Sequence, residues 1–335
     1  MSSEVSYLSH ARYGKDKVRV LRVFREGNWH HVVEYNVTVL VEGDIETSYT
    51  KADNSVVVAT DSLKNITYFS PHILIAERFA LHLGTHLVSK YSHLHKAFIT
   101  VEQLRWSRIR VETGSETKEH SHSFFRDGDE KRTVKVEVDA SGGKDKLVGR
   151  VSAGINDLLV LKSTGSAFTN FVRDEYTTLV EVDDRIFSTS VDLSYTFAPI
   201  DLPTPKNEDK LDFAIPVAEG QEAGTIWDTS IPEKTRKVTL GIFAEDDSAS
   251  VQATLYKMAT KIVHDHAGVA TVSYALPNKH YIPVDMKYIG VDNLTPCVSI
   301  ISPPSTFCGA MECSACLYAG PLKGYPLRGY PTSAF

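Results

Sequence analysis

Residues 187 to 197 read FSTSVDLSYTF, and the alternation inside this stretch decides the fold. Phe187, Val191, Leu193, Tyr195 and Phe197 all fall on odd positions, so an extended chain puts them on one face and leaves polar residues on the other. Residues 133 to 140, TVKVEVDA, repeat the pattern with Val134, Val136 and Val138. Strands apolar on one side only belong to an antiparallel sheet with one covered face. The cover is legible as well. Ala76, Phe79, Ala80, Leu83 and Leu87 recur at helical spacing, as do Val251, Thr254, Leu255, Met258, Ala259, Ile262 and Val263.

Laid end to end, the pattern predicts strands over about 16–43, helix over about 59–92 and strands over about 96–140. It then repeats, with strands over about 148–198, helix over about 231–266 and strands over about 269–289. Strands, then helices, then strands, without strand–helix alternation, imply an α+β architecture in two similar halves with helices on one face of an antiparallel sheet. The Pro-, Gly- and acid-rich residues 199–230 read as a surface loop. Residues 293–335 hold six of the fourteen prolines and show no periodicity, which predicts an irregular tail.

Composition narrows the function. With 335 residues and 42% hydrophobic content the chain can bury a large core. Its net charge of −6 and interspersed charges lack the basic stripe that nucleic acid requires. The charged start MSSEVSYLSHARYGKDKVRV has no apolar core, and no run approaches a membrane span, so neither standard secretion nor membrane insertion is expected. All four cysteines, Cys297, Cys308, Cys313 and Cys316, lie in the tail, which fits a core built without disulfides in a reducing compartment. One C-x-x-C and three H-x-H pairs (His93/His95, His120/His122, His264/His266) lack further ligands at useful spacing, so no metal site is expected. Dinucleotide, P-loop, G-x-S-x-G and H-E-x-x-H signatures are absent too.

One local stretch raises a question. In DNSVVVATDSLKN, residues 53–65, the apolar Val56–Ala59 run into Thr60, Asp61 and Ser62. The local reading is a short strand followed by a helix that Thr60 or Asp61 caps.

Longer motifs resemble one family. YGKDKVRV (13–20), YTKADNSVVVATDSLKN (49–65), LVLKSTGSAFTNFVRDEYTTLVEVDDR (159–185), AEDDSASVQATLYKMA (244–259) and LPNKHY (276–281) look like the uricase, or urate oxidase, family, in order from about residue 12 to about residue 290. The resemblance implies two tandem T-fold domains, at 12–142 and 143–290, assembling into a tunnel-shaped homotetramer with active sites at subunit interfaces. It implies that Arg185 and Gln252 clamp a planar purine. A guanidinium fork suits a carbonyl beside a deprotonated nitrogen, and a primary amide matches an N–H beside a C=O. Phe168 would stack on the ring and Leu179 would join the lining. Asn278 and the backbone N–H of Val251 would face the position taken by dioxygen and then water. Thr60 would reach with Lys15 into a neighbouring subunit's site, where the Asp61 N–H touches substrate and His280 completes a proton relay.

The residue types fit the implied chemistry. Urate must lose a second proton before passing an electron to dioxygen. A desolvated lysine can accept that proton through a hydroxyl that relays without ionising, and histidine exchanges protons near neutrality. The resemblance thus implies cofactor-free conversion of urate, dioxygen and water to 5-hydroxyisourate and hydrogen peroxide. Two alternatives are another tandem T-fold enzyme acting on a purine or pterin, which usually anchors its ring with Glu rather than Gln252, and a non-catalytic homologue, which would have lost some of these residues. The sequence departs from the family after about Asp292 and ends PTSAF where the family often ends in S-K-L. A peroxisomal location therefore rests on resemblance alone, with the cytoplasm as the alternative, and the tail reads as lineage-specific or as a misread gene end.

Overall fold

The computed structural model describes residues 6–215, 226, 228–293 and 298–301. Two long hairpins open the chain. β1 (Tyr13–Glu26) pairs with β2 (Trp29–Gly43) across a tight turn. Three helices follow, α1 (Glu46–Thr50), α2 (Thr60–Ile66) and α3 (Ala76–Lys90), before β3 (Leu94–Thr113) and β4 (Glu116–Asp139). The second half carries β5 (Leu147–Lys162), β6 (Phe187–Phe197), the short β7 (Ile200–Leu202), α4 (Ile231–Glu245), α5 (Val251–Asp265), β8 (Val269–Ala275) and β9 (Asn278–Pro283). β10 (Val298–Ile301) comes last among the described residues.

These strands form one antiparallel sheet in the order β1-β2-β3-β4-β5-β6-β9-β10, with β7 beside β5 and β8 beside β6. The alternating residues that announced it are buried as expected. Val134, Val136 and Val138, and Phe187, Val191, Leu193, Tyr195 and Phe197, line one core with Val37, Val39, Val41, Ile99 and Val101. α3 lies across that face. Phe79 and Leu83 are fully enclosed, and burying such a side chain stabilises by about 1.5–3 kcal/mol. A bidentate pair fixes the start of the helix. The Arg132 Nη2 on β4 donates to both carboxylate oxygens of the buried Glu77, at 2.6 and 2.7 Å. α4 seals the second half through Phe243 on Phe187, rings 5.4 Å apart, and through a 2.7 Å hydrogen bond between the Thr239 and Tyr274 hydroxyls.

Five expectations need correction. The 59–92 and 231–266 stretches are each two helices, interrupted at 67–75 and 246–250. Val56–Ala59 form no strand: a 3-10 turn at Asn54–Val56 leads into α2. Neither Thr60 nor Asp61 caps that helix. The capping position is Ala59, which has no side-chain oxygen, and Thr60 is the first helical residue. The described part of the 199–230 segment is not a free surface loop, because β7 joins the sheet, Leu202, Ile215 and Ile226 are buried, and Phe213 stacks on the buried His82 of α3 at 4.2 Å. Finally, the tail contains β10, paired with β9. Its four cysteines lie outside the described residues.

Candidate active site

Residues 163–186, between β5 and β6, fold back on themselves. Gly165 takes φ 75°, a left-handed turn that glycine adopts without strain. Asp184 closes it by accepting from the Thr164 hydroxyl at 2.6 Å and the Gly165 N–H at 2.8 Å, and the Thr164 hydrogen bond first of all holds its carboxyl below the usual range. Phe168 and Val182 exchange both backbone hydrogen bonds, at 2.8 and 3.1 Å, and the Arg185 N–H donates to the Ser166 carbonyl at 2.8 Å. The result brings the Arg185 guanidinium carbon to 5.2 Å from the Phe168 ring centre. Burial lowers the Arg185 pKa, and its Nε is buried without a hydrogen-bond partner.

Two further elements converge there. The Ala167 N–H donates to the Ser248 carbonyl at 2.9 Å and the Ser248 N–H to the Gly165 carbonyl at 3.0 Å, pinning the loop to the start of α5. Ser250 caps that helix. Its hydroxyl accepts from the Ala253 N–H at 3.2 Å and donates to the Gln252 Oε1 at 2.9 Å. Val251 is the first helical residue, so its N–H lies among those that a helix leaves without a backbone partner. Opposite, β9 pairs with β6 through Thr189 and Asn278, and the Asn278 Oδ1 is also buried without a partner. Phe168, Arg185, Val251, Gln252 and Asn278 thus gather at one end of the sheet. Leu179, exposed, lies in the same loop, and His280 follows on β9 with its side chain exposed.

Lys15 and Thr60 stand elsewhere. Lys15 lies on the edge strand β1 just before a bulge, where Lys17 takes φ 51°. Gly14 precedes it because a Cβ there would fall 1.9 Å from the Val39 carbonyl oxygen. The Tyr13 hydroxyl accepts from the Val58 N–H at 2.7 Å and ties the chain before α2 to β1. That contact brings Thr60 and Asp61 to Lys15. The Asp61 carboxyl, 2.5 Å from Lys64, is held low chiefly by that lysine, and Lys15 adds to the effect. Among the described residues no hydrogen bond, ion pair or ring contact joins Lys15 or Thr60 to Phe168, Arg185, Gln252, Asn278 or His280. Five strand spacings separate β1 from β6, about 24 Å along the sheet.

Sequence reading missed the residues that hold the others. Asp184, Ser248 and Ser166 carry no signature, and the Ser250 cap before an apolar-periodic run was also missed, although a serine in that place is a signal for one. The H-x-H histidines take separate places: His95 meets Asp44 at 3.0 Å and His120 packs edge-on against His122 at 4.5 Å. Among the described residues no three metal-ligating side chains converge. No helix there is long and apolar enough to cross a membrane.

Comparison with known proteins identifies the family. The family model described as Uricase matches residues 11–137 and 151–303. A uricase from Aspergillus flavus is 42% identical over 92% of this chain and 97% of its own length, and one from Schizosaccharomyces pombe is 40% identical over 93% and 98%. The crystal structure of uricase from Arthrobacter globiformis superposes with a TM-score of 0.71 at 30% identity, over 89% of this chain and 92% of that one. The chain belongs to the uricase family.

Proposed function

We propose that the chain oxidises urate with dioxygen and water, giving 5-hydroxyisourate and hydrogen peroxide, at a site that two copies of the chain complete. The observation that carries this reading is the buried, unpartnered Arg185 Nε of a guanidinium that lies 5.2 Å from the Phe168 ring centre, with a second buried, unpartnered polar atom, Asn278 Oδ1, on β9 where it pairs with β6. Buried polar atoms without partners are rare, and a planar ligand bearing acceptors and N–H groups on its rim would satisfy them. Arg185 holds an anionic edge with two parallel N–H groups, Gln252 reads the neighbouring N–H and C=O, and Phe168 sets the plane. Leu179 completes the lining.

Binding leaves the base to be supplied. Lys15 is exposed on β1 and Thr60 is exposed at the start of α2, about five strands away from the clamp of the same chain. A second copy brought edge to edge would cover Lys15, and desolvation favours a neutral amine able to accept a proton. The Thr60 hydroxyl passes the second urate proton to Lys15, His280 shares it, and the Asp61 N–H holds the ring in place. The resulting dianion gives one electron, then a second, to dioxygen beside Asn278 and the Val251 N–H. Two protons complete hydrogen peroxide, and water adds to the oxidised purine to give 5-hydroxyisourate. Urate itself is the reductant, so the electron balance calls for no metal or flavin. We read the assembly as a homotetramer whose chains each carry two tandem T-fold units, 12–142 and 143–290, located by family resemblance in the peroxisome, or, without an S-K-L ending, in the cytoplasm. Loss of the urate absorbance band with stoichiometric peroxide release, in metal-free buffer containing a chelator, tests the reading. Activity that disappeared on chelation and returned with copper or iron would overturn the cofactor-free chemistry.

A further inference from the structure

Resting on that reading of the site, we infer that Phe171 and Arg173 are positioning residues that hold the stacking wall of the urate pocket. Phe168 has two faces. The Phe171 ring covers one of them, nearly parallel to Phe168, with centres 4.8 Å apart and planes 13° apart. The Arg173 guanidinium carbon sits 4.9 Å over the Phe171 ring. Its Nη2 also donates to the Leu179 carbonyl at 2.9 Å. A chain of contacts, Arg173 with Phe171 and Phe171 with Phe168, together with the Arg173 hydrogen bond to Leu179, therefore links the two residues proposed to line the pocket.

The loop is built to make these contacts. Asn170 adopts φ 58°, a region asparagine tolerates better than most residues, and its N–H donates to the Glu181 Oε1 at 3.2 Å. That turn sends Phe171 back over Phe168. The Asp174 carboxylate accepts from the Tyr176 N–H at 3.0 Å and the Thr177 hydroxyl at 2.9 Å, returning the chain so that Leu179 meets Arg173. Phe171 and Arg173 lie outside the buried core, and Arg173 is exposed. Their contacts thus serve the loop rather than the fold. A ring on a loop orients a ligand only if it cannot tip, and a parallel partner that itself meets a cation supplies that restraint.

The test compares Phe171→Leu, Phe171→Tyr and Arg173→Ala in the full chain, reading kcat and KM for urate, the Kd of a planar purine analogue that cannot be oxidised, and Tm. Phe171→Leu keeps apolar volume and removes the flat face. It should raise KM and the analogue's Kd about tenfold while leaving kcat within about twofold and Tm unchanged, the signature of lost uniform binding. Phe171→Tyr should restore both constants to within about twofold, and Arg173→Ala should raise them about threefold. Unchanged binding in Phe171→Leu, failure of Tyr to rescue, or a fall in kcat and Tm without a change in Kd would overturn the inference. A wild-type chain that bound the analogue and did not oxidise urate would sink the functional reading, while the analogue's Kd would still decide the wall.

Discussion

The two ends of the sheet are built differently. At the β6/β9 end, Arg185, Phe168, Gln252 and Asn278 come from three separate segments, and backbone hydrogen bonds, a capping serine and an aspartate-held turn lock them into one place. At the β1 end, Lys15 and Thr60 are placed by two nearby elements and one tyrosine hydroxyl, and both are exposed. The difference teaches where preorganisation is needed. A clamp must hold several atoms of a rigid ring at once, whereas a proton relay needs only a short path that docking can complete.

Damage to the clamp should be the most costly. Arg185→Lys keeps the charge and loses the fork, so kcat/KM should fall by roughly 2 to 4 kcal/mol. A loss under about 0.5 kcal/mol would remove Arg185 from substrate binding. At the other end, Thr60→Ala should cut turnover by roughly 100-fold, and adding Lys15→Ala should cost little more, because both serve one relay. Fully additive losses would mean that the two residues act separately.

Acid should also separate the two halves. His82 and His86 on α3 are buried under residues 207–215, with His72 beside the first and Lys90 and Asp209 beside the second. Burial lowers both to about 4. The unfolded chain, with histidines near 6.5, binds the more protons between those values, so stability is greatest above pH 6.5 and declines as pH falls toward 4. About 2 kcal/mol per histidine should be lost at pH 5. In the second half, burial lowers His266 while Asp265 and Asp228 oppose the shift. Hydrogen exchange should therefore rise first in α3, and earlier opening of α5 would contradict this ordering. The mildest change is Ser250→Ala. Loss of the cap should cost about 1 kcal/mol of stability and raise KM modestly by freeing Gln252, as denaturant midpoints and initial rates would show.

The same contrast explains what was legible in sequence. Sheet and helix layers were readable because burial imposes periods on strands such as 187–197 and on α3 and α5. The proposed clamp was suggested only by whole-motif resemblance, since a lone Arg185 or Gln252 carries no period. Thr60 was misread as a cap because Thr before a helix usually is one, while here Ala59 holds that place and leaves the hydroxyl uncommitted. Phe171, Arg173 and Asp184 were invisible in a different way. Their contacts arise from loop closure, set by left-handed Gly165 and Asn170, and no spacing rule foretells which ring such a turn will stack.

Whether the two ends meet across a subunit interface can be measured directly. Thr60→Ala and Arg185→Gln chains, carrying different tags, would be co-expressed, and mixed oligomers isolated through both tags. Each mutant alone should be nearly inactive, yet the mixed oligomers should recover a substantial part of wild-type turnover, because some interfaces pair an intact relay with an intact clamp. Mixed oligomers no more active than the better single mutant would contradict a shared site.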